Sequence, residues 1–380
     1  MRVLLTGGGT AGHVFPCIAV AQALRAEAGE TELLFVASRH GLDAEALTRY
    51  KLPYEMISAR PFPYGVSWRL LPGLWGMARG GWQTRGILRR FRPDVVMTSG
   101  GFVSAAVVPV AARYGLPIVS HVSDAQPDRT NRLLRRWATV VTLAHEQSRA
   151  WCAGHDCRVV GQPIRAEFFA TTREAGAAAL GLDPGRPTLL VTGGSQGART
   201  LNDAVQDALP ELLSHPELQV AHVTGARDHE RVLAWAEENG FLSAPRYQVW
   251  PWVDMPPALA AADLVLTRAG SSALAEACAS RGALIVVPYP FAGGHQAQNA
   301  AELERVGAAV VIRNDDFTGA VLAQAVQELL ADRAKRAAMA AAAGALAQPQ
   351  AAQEIAGILR GLAGQDVKPP AHRRTGTSVP

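Results

Sequence analysis

The stretch DLVLTRAGSSALAEACASRGALIVVPYPFAGGHQAQN, residues 263–299, determines how the rest of the chain is interpreted. Residues 264–266 and 284–287 are short apolar runs of the kind that parallel sheets bury, and the segment between them fits a crossover helix. The order strand, tight turn, helix, strand, loop and helix start is the repeating unit of open α/β sheets. We therefore predict an α/β fold with parallel strands.

Small and polar residues follow the first of these strands. Gly270, Ser271 and Ser272 open the predicted helix, where unpaired backbone N–H groups and the helix dipole favour a phosphate. Glu276 lies about one turn further on, on the side that Ser272 faces, and adds a carboxylate that accepts hydrogen bonds from sugar hydroxyls. A nucleoside diphosphate needs both kinds of group, so the segment predicts a nucleotide site.

Two further polar residues, His295 and Gln296, follow the second strand after a glycine pair. Taken singly, each of these features has a simpler explanation: a serine caps a helix, a glutamate is solvated, and a histidine marks a loop tip. Their placement at consecutive strand ends favours a ligand site, because ligands of open α/β sheets bind at the carboxyl ends of the strands. His295 and Gln296 are therefore predicted to contact a sugar.

The length and charge of the chain limit the roles it can have. With 380 residues it can form two domains, and 48% hydrophobic and 18% charged residues are ordinary for an α/β protein. A formal net charge of +4 is too small to indicate a nucleic-acid partner, although it suits an anionic substrate or an anionic membrane surface. No apolar run reaches the ~18 residues of a membrane-spanning helix.

Four cysteines are scattered along the chain: Cys17, Cys152, Cys157 and Cys278. Because no secretory signal precedes them, we expect reduced thiols in a cytosolic protein. His155 lies between two of them and suggests part of a zinc site, but no fourth ligand stands at metal spacing. We therefore predict neither a metal nor a cofactor.

A glycine-rich loop follows the first predicted strand. Residues 2–6 form a strand of the buried type, residues 7–13 read GGGTAGH, and an apolar helix is predicted over residues 16–26. Three glycines satisfy the pattern G-x-G-x-x-G: Gly7, Gly9 and Gly12. Between a strand and a helix this pattern is typical of dinucleotide-binding folds, so an NAD- or NADP-dependent enzyme is the first alternative.

The second strand argues against NAD. It is predicted over residues 32–37 and is followed by Ser38 and Arg39, where an NAD enzyme presents an acidic residue to the ribose. Arg39 could still meet the 2′-phosphate of NADP, so this residue alone leaves NADP open.

The same design returns in the second half of the chain. A strand over residues 187–192 leads into the glycine loop GGSQGAR, residues 193–199, and a helix that begins near Leu201. Other strands are predicted over residues 95–98, 118–120, 139–143, 220–224 and 247–249, with a strand and hinge over residues 159–165. We predict two Rossmann-like domains with parallel sheets facing a cleft. The predicted bounds are residues 1–160 and 161–345 for the domains, 346–363 for a C-terminal helix and 364–380 for a disordered tail.

The segment from residue 59 to residue 92 has a different character. Apolar side chains are interleaved there with arginines, and no acidic residue interrupts them. The apolar members are Trp68, Leu70, Leu71, Leu74, Trp75 and Met77, and the cations are Arg60, Arg69, Arg79, Arg85, Arg89, Arg90 and Arg92. Such a mixture suits an interfacial segment that enters the headgroup region and meets anionic lipid. The alternative is an ordinary amphipathic helix packed on its own sheet.

Six motifs together resemble the MurG family of bacterial GT-B glycosyltransferases, and the resemblance covers residues 1–361. They are GGGTAGHVFP (7–16), GGFVS (100–104), VTGGSQGARTLN (191–202), RAGSSALAE (268–276), VPYP (287–290) and HQAQNA (295–300). The resemblance implies an inverting transfer of N-acetylglucosamine (GlcNAc) from UDP-GlcNAc to the 4-hydroxyl of MurNAc in undecaprenyl-pyrophosphoryl-MurNAc-pentapeptide. This acceptor is lipid I, and the product is lipid II of peptidoglycan synthesis. A peripheral position on the cytoplasmic face of the bacterial inner membrane is also implied.

By this resemblance the second domain binds UDP-GlcNAc. Glu276 would bridge the ribose hydroxyls, Arg165 and Ser195 would help the 270–272 turn to hold the diphosphate, and Val253 would contact uracil. The full implied set of donor-binding residues is Thr10, Ala11, Gly12, Arg165, Ser195, Val253, Gly270, Ser271, Ser272, Glu276, His295 and Gln296.

The first domain is implied to bind the lipid acceptor and the membrane. The implied acceptor contacts are Gly9, His13, Gly100, Gly101 and Ser104, at loops where helix N-termini compensate the pyrophosphate charge. His13 is the first candidate for the general base that deprotonates the acceptor hydroxyl, because imidazole takes up protons near neutral pH. Asp124 is the second candidate, as a base or as a group that orients His13.

The sequence departs from the family pattern in ways that affect the acceptor side more than the identity of the donor. The usual His-Glu-Gln-Asn after the fifth strand is replaced by His121-Val122-Ser123-Asp124, and Gln162 stands in the linker where the family has asparagine. Two alternatives to a transferase stay open: a UDP-GlcNAc 2-epimerase, which consumes donor without acceptor, and a non-catalytic nucleotide-sugar-binding protein, which shows no turnover.

Overall fold

The computed structural model describes residues 1–8, 11–27, 30–39, 43–60, 70–194, 197–290 and 294–364, without the side chains of Ala11, Leu70, Leu71 and Pro72. These residues form two compact units. The first unit comprises Met1–Ser123, Pro127–Val160 and the chain from Ala352, and the second comprises Asp124–Gln126 and Gly161–Ala351. The last helix of the chain therefore belongs to the first unit, and three residues from the first half belong to the second.

The described strands of the first unit form one parallel sheet. They are β1 (Arg2–Thr6), β2 (Glu32–Ser38), β3 (Tyr54–Ile57), β4 (Val95–Thr98), β5 (Ile118–Val122), β6 (Val140–Leu143) and β7 (Cys157–Val159). Their order across the sheet is β3-β2-β1-β4-β5-β6-β7. Leu4 of the central strand β1 lies between Leu34 of β2 and Val96 of β4. The central strands are largely apolar and buried because helices cover both faces of a parallel sheet.

The described strands of the second unit form a second parallel sheet. They are β8 (Thr188–Thr192), β9 (Gln219–Val223), β10 (Tyr247–Trp250), β11 (Leu264–Thr267), β12 (Ala283–Val286) and β13 (Ala309–Val311). Their order is β10-β9-β8-β11-β12-β13, so β8 and β11 are central neighbours. The loops that follow these two strands begin at the same edge of the sheet, which is where ligands of open α/β sheets bind.

Helices lie between most successive strands. In chain order they are α1 (Ala11–Ala26), α2 (Asp43–Arg49), α3 (Leu70–Phe91), α4 (Gly101–Arg113), α5 (Arg129–Leu134), α6 (Glu167–Ala170), α7 (Arg173–Leu180), α8 (Arg199–Ser214), α9 (His229–Glu238), α10 (Met255–Ala261), α11 (Ser271–Ser280), α12 (His295–Arg305), α13 (Gly319–Ala331), α14 (Arg333–Leu346) and α15 (Ala351–Ala363). Short 3-10 helices cover Arg135–Trp137, Glu146–Cys152, Phe241–Ser243 and Asn314–Asp316.

Each sheet has an apolar core on both of its faces. In the first unit α1 and α15 cover one face, where Ile355 and Leu359 of α15 are fully buried beside Val3 and Ile18. The opposite face is covered by α3 and α4. Fully burying one large apolar side chain stabilises a fold by about 1.5–3 kcal/mol, so α15 is an integral part of the first unit.

The structure corrects two local predictions of secondary structure. The strands β3 and β13 were not predicted, because β3 is an edge strand with only Ile57 fully buried and β13 has only three residues in an alanine-rich segment. Helix α1 begins at Ala11 and not at Pro16, so His13 lies in its first turn. A proline inside a helix removes a single backbone donor, and the buried apolar face of α1 outweighs that loss.

The prediction that all four cysteines are reduced is wrong for one pair. Cys152 and Cys157 form a disulfide between the end of a 3-10 helix and β7, where their Cα atoms lie 6.2 Å apart, a normal separation for such a bond. Cys17 and Cys278 are free and buried. The disulfide leaves neither thiolate of the pair for a zinc ion. No group of three or more metal-type ligands is found in the described parts of the chain.

None of the helices in the described ranges combines the length and the apolar character needed to cross a bilayer.

Candidate functional site

The turn after β11 brings the first predicted ligand groups together. Gly270 is the N-cap of α11 and makes no side-chain cap, so Ser271 and Ser272 occupy the first helical turn. The simpler explanation of these serines as helix caps is therefore wrong. Ser271 is buried, and the Ser272 hydroxyl accepts a hydrogen bond of 3.0 Å from the side-chain amide of the buried linker residue Gln162. The sequence pattern did not single out Gln162 for this contact, because it lies 110 residues away.

Glu276 lies one turn further along α11 and is buried. Burial raises the pKa of its carboxyl group to about 7, an effect that Arg165 opposes and Asp254 reinforces. Arg165 is itself buried, 3.9 Å from Asp254 and with its guanidinium 4.7 Å above the ring of Phe168. The second unit thus holds a carboxyl group and a guanidinium in one buried place at the carboxyl ends of the strands. Val253, the predicted uracil contact, is buried immediately before Asp254.

Gln296 lies in the first turn of α12 and has a fixed orientation. Its Oε1 accepts hydrogen bonds from the backbone N–H groups of Ala269 at 3.1 Å and Tyr289 at 2.9 Å. Because both partners are N–H donors, the side-chain oxygen must face them. The Nε2 group then points away from them and can donate to another partner. The Nδ1 atom of neighbouring His295 is buried and makes no hydrogen bond to the described residues. Both side chains therefore retain hydrogen-bonding capacity beside the α11 turn.

Two more polar residues of this region were not predicted as site residues. Asn299 accepts from the backbone of Ala125 at 3.0 Å and donates to Asp124 Oδ1 at 3.0 Å and to Ala269 O at 3.1 Å. It is fully buried, and its position at the end of the HQAQN motif is a signal that could have identified it. The candidate base Asp124 is therefore held by Asn299 within the second unit.

Arg268, directly before the α11 turn, is the other residue that sequence reasoning missed. Its guanidinium is buried, donates to Val287 O at 3.0 Å and to Asn314 Oδ1 at 2.9 Å, and lies 5.6 Å from the centre of the Tyr289 ring. Burial lowers its pKa from the usual arginine value. No ion pair of Arg268 occurs in the described chain, so a buried positive charge stands at the strand ends.

The glycine loop after β8 is the second ligand-type turn of this unit. Gly194 and Gly197 have positive φ angles of 79° and 70°, and the N–H of Gly197 donates to Gly194 O at 2.9 Å. A Cβ atom on Gly197 would overlap the carbonyl oxygen of Thr224, so only glycine fits there. Ser195, a predicted diphosphate contact in this loop, lies outside the described residues.

In the first unit the structure fixes the orientation of His13. Its Nδ1 lies 2.9 Å from the carbonyl oxygen of Ser99, which can only accept, so Nδ1 carries the proton. The lone pair is then on Nε2, which is the state a general base requires. The Ser99 hydroxyl donates in return to the carbonyl oxygen of His13. Gly7 makes room for this exchange, because a Cβ atom there would overlap both groups.

The second glycine loop of the first unit opens α4. Gly100 and Gly101 have φ angles of 93° and 78°, and Gly100 caps the helix without a side chain. Ser104 is fully buried, donates to Gly100 O at 2.6 Å and accepts from the Thr98 hydroxyl at 2.6 Å. Its hydroxyl therefore makes hydrogen bonds on both sides within the protein, and Ser104 supports the loop rather than facing the lipid acceptor.

The remaining predicted residues of the first unit lie around the first glycine loop. Gly9 and Thr10 are outside the described ranges, and Ala11 and Gly12 begin α1.

The long helix α3 carries an exposed apolar stripe. Leu74, Trp75 and Trp82 are 55%, 70% and 73% exposed. Trp82 was not predicted as part of the interfacial group, yet it lies on the same face as Trp75 because seven residues make about two helical turns. The opposite face packs against β3 and α4, where a Cβ atom on Gly80 would lie 3.4 Å from Ile57 of β3 and 3.3 Å from Ala106 of α4. The helix thus packs on its own sheet and also exposes a stripe, and Trp68 is outside the described residues.

A basic cavity of about 550 Å³ adjoins this stripe. Arginines line it from two elements: Arg39 after β2, and Arg85, Arg89 and Arg90 on α3. Arg90 pairs with Glu55 at 2.7 Å, and Trp82 also lines the cavity.

Comparison with known proteins identifies the family. The family model "Glycosyltransferase family 28 N-terminal domain" matches residues 3–143, and "Glycosyltransferase family 28 C-terminal domain" matches residues 188–355. A curated protein of Halothermothrix orenii is 36% identical over 370 residues, covering 96% of this chain and 99% of its own. It is named UDP-N-acetylglucosamine--N-acetylmuramyl-(pentapeptide) pyrophosphoryl-undecaprenol N-acetylglucosamine transferase. The chain belongs to the MurG family.

Solved structures agree with a MurG-type fold. A crystal structure of Acinetobacter baumannii MurG matches with a TM-score of 0.70 at 24% identity, covering 95% of this chain and 99% of that one. A Listeria monocytogenes structure described as a putative UDP-N-acetylglucosamine 2-epimerase has a TM-score of 0.69 at 14% identity, covering 97% and 98%. At these identities the likeness concerns the fold alone. The predicted GT-B class is confirmed, and the dinucleotide-dependent alternative is excluded by the family.

The segment that departs from the MurG pattern begins with His121, which contacts the neighbouring strand. His121 is fully buried inside the first sheet, and its Nδ1 lies 3.1 Å from the hydroxyl of Thr142 on the neighbouring strand. A side chain in that position supports the sheet.

Proposed function

We propose that this chain transfers GlcNAc from UDP-GlcNAc to the MurNAc 4-hydroxyl of lipid I and so forms lipid II. The observation that carries the proposal is its near-complete alignment, over both domains, with a curated transferase of that name. The donor is assigned to the second unit and the acceptor to the first.

The buried groups of the second unit support a nucleotide-sugar donor. Glu276 in its ionised form accepts hydrogen bonds from two ribose hydroxyls, and Arg165 beside it neutralises part of the ligand charge. The positive end of the α11 dipole and the buried cation of Arg268 favour the diphosphate. His295 and Gln296 offer hydrogen bonds to the GlcNAc hydroxyls, and the side of the site near Val253 receives uracil.

His13 is the general base of the proposed reaction. The acceptor hydroxyl is a poor nucleophile until its proton is removed, and the free Nε2 lone pair of His13 can remove it. The oxygen then attacks the anomeric carbon while the bond to UDP breaks, so one displacement inverts the configuration without a covalent intermediate. The positive ends of α11 and α8 stabilise the negative charge that develops on the leaving diphosphate. Asp124 is the alternative base.

The acceptor places the reaction at a membrane. Its polyprenyl chain is too apolar to leave the bilayer, so the protein must come to the surface. The stripe of Leu74, Trp75 and Trp82 can enter the interface, and the arginines of the adjoining cavity can meet anionic headgroups. We therefore assign the chain to the cytoplasmic face of the bacterial inner membrane as a peripheral protein.

Incubation of the purified chain with UDP-GlcNAc, with and without a soluble lipid I analogue, tests the proposal. We expect UDP release only when the acceptor is present, together with a disaccharide product. Conversion of the sugar without acceptor would indicate an epimerase, and UDP binding without turnover would indicate a binding protein. A Glu276→Ala variant is the control for the donor site, because it removes the carboxylate that the proposal assigns to ribose.

A further inference from the structure

A chain of three polar side chains is buried between α8 and the sheet of the second unit. It consists of Tyr247 on β10, His222 on β9 and Asn202 on α8, which are 3%, 0% and 0% exposed. The surrounding layer is apolar and includes the fully buried Val191, Leu201, Val205 and Val220. Apolar side chains of similar volume would fill this layer at no loss of stability, because polar groups cost free energy when buried. Core stability alone therefore does not account for the three residues.

The direction of each hydrogen bond in this chain can be assigned. Asn202 Nδ2 lies 3.0 Å from Thr224 O and 2.9 Å from Asp228 Oδ2, and both of these atoms accept. Asn202 Oδ1 therefore faces His222 Nε2 at 3.0 Å, and Nε2 must donate. The other ring nitrogen, Nδ1, accepts from the hydroxyl of Tyr247 at 3.0 Å. The phenol, the imidazole and the amide thus form one directed series that ends at Thr224 O.

Gly197, in the glycine loop after β8, packs against the carbonyl group of Thr224. Gly197 of that loop lies so close to Thr224 O that a Cβ atom would overlap it. The N–H of Gly197 closes the turn on Gly194, and α8 begins two residues later at Arg199. The position of Thr224 O therefore constrains Gly197 and, through it, the direction of the N–H groups at the start of α8.

Thr224 is also hydrogen-bonded to the segment that leads to Val253, the predicted uracil contact. The N–H of Thr224 donates to Trp250 O at 3.0 Å, and its hydroxyl donates to the same oxygen at 3.1 Å. Trp250 ends β10, three residues before Val253. On the other side, Asp228 is held by two hydrogen bonds from Arg231, at 3.1 and 2.9 Å. Both amide atoms of Asn202 are therefore held, Nδ2 by Thr224 and Asp228 and Oδ1 by His222.

We propose that His222 and Tyr247 are positioning residues for the nucleoside diphosphate. They orient Asn202, which holds Thr224 O and so keeps Gly197 and the start of α8 in the position that receives the diphosphate. Neither side chain contacts the ligand. The inference rests on the proposed function, which assigns the start of α8 to the diphosphate of the donor.

Three variants of the full chain test the proposal. Tyr247→Phe removes one hydroxyl, His222→Phe removes both ring nitrogens at similar volume, and His222→Gln restores a single N–H donor toward Asn202. His215→Phe is the matched control, since His215 is a partly exposed histidine of the same unit. For each variant we would measure the dissociation constant of UDP, the KM of donor and acceptor, kcat and the melting temperature.

We expect His222→Phe to weaken UDP binding and raise the donor KM about tenfold, and Tyr247→Phe to do so about threefold, as lost buried hydrogen bonds predict. The acceptor KM and kcat should stay unchanged, and His222→Gln should recover part of the UDP affinity. UDP affinity within twofold of the native value in both phenylalanine variants would overturn the proposal, whether or not they melt earlier. If His222→Phe does not fold, Tyr247→Phe decides, because it leaves the core volume intact. A native chain that does not bind UDP would contradict the proposed function instead.

Discussion

Glu276 is the residue at which folding and ligand binding make opposite demands. Its pKa is raised to about 7 by burial, well above the value of 4.5 for an exposed glutamate. The folded chain therefore binds this proton more tightly than the unfolded chain between pH 4.5 and 7. Stability falls as the pH rises through that window, and above it the loss amounts to about 3 kcal/mol. The proposed contact with the ribose hydroxyls needs the ionised form, so a carboxylate in this role costs the ligand-free protein stability.

Glu276→Gln separates these two demands. Without ligand the variant should melt at a higher temperature than the native chain at pH 8 and at a similar temperature near pH 4.5, because it carries no charge to bury. Its KM for UDP-GlcNAc should rise about 10- to 100-fold, which corresponds to the loss of charge-assisted hydrogen bonds. Calorimetry and steady-state kinetics measure the two effects.

The native enzyme adds a check on the same residue. Its donor affinity should fall about tenfold between pH 8 and pH 6 as Glu276 takes up a proton, and the variant should lack this change. A donor KM unaffected by Glu276→Gln would remove this side chain from the ribose.

His13 is the second residue whose state follows from its neighbours. The Ser99 carbonyl holds the proton on Nδ1, so Nε2 is the basic nitrogen. His13→Gln should lower kcat by ~10²–10⁴-fold with unchanged UDP affinity, which is the usual contribution of a general base. The control is His145→Gln, because His145 follows β6 and has no role in the proposed reaction. Near-native turnover with weakened acceptor binding would transfer the role of base to Asp124.

Sequence reasoning identified some site residues and not others for a physical reason. Ser271, Glu276 and Gln296 lie at predicted strand ends, so a local pattern was enough to single them out. Gln162 and Asn299 act through partners 110 and 175 residues away, and no local pattern reports such contacts. Ser104 was assigned to the acceptor because it lies in a glycine loop, and only the structure shows its hydroxyl bonded on both sides.

At the scale of elements, α3 combines two faces that are usually found on different helices. Its inner face uses glycine to approach its neighbours closely, at Gly76 against Ser58 O after β3 and at Gly80 against Ala106 of α4. Its outer face exposes Leu74, Trp75 and Trp82. The sequence singled out Leu74 and Trp75, which are exposed, but not Trp82, because the register that exposes Trp82 becomes clear only when the buried face is known.

Replacing Leu74, Trp75 and Trp82 by serine should abolish sedimentation of the protein with vesicles that contain phosphatidylglycerol or cardiolipin. Activity on a short-chain soluble acceptor should stay nearly intact, because none of these residues belongs to the candidate site. Native binding should weaken at high salt, since each arginine near an anionic surface contributes about 1 kcal/mol that salt screens. A Tyr114→Ser, Leu133→Ser variant removes exposed apolar groups elsewhere on the first unit and serves as control. A triple variant that still pellets would place the docking surface elsewhere.

For the molecule as a whole, the repeated strand and glycine-loop design was enough to predict two parallel α/β units. The strands β1 and β4 occur at the predicted residues because their runs are apolar and bounded by loops. The chain path between the units was less accessible to sequence analysis. The helix predicted over residues 346–363 was placed outside both domains, whereas α15 packs on the first sheet beside Val3 and Ile18. Its alanine-rich pattern indicates a buried face but not which core that face joins.

The packing of α15 leads to a prediction about truncation. A chain that ends after residue 350 loses the buried Ile355 and Leu359 and the ion pair of Arg360 with Glu27. It also exposes the apolar surface around Ile18. Two large buried side chains contribute several kcal/mol, and a domain has a net stability of only about 5–15 kcal/mol. The shortened chain should therefore aggregate or melt at least ten degrees lower, roughly the shift that several kcal/mol produces. A chain that ends after residue 364 keeps α15 and should melt and turn over like the full chain. Leu359→Ala should fall between the two, at a cost of about 2–5 kcal/mol in denaturant titration. If the chain that ends at residue 350 melted at the same temperature as the full chain, α15 would contribute nothing to the stability of the first unit.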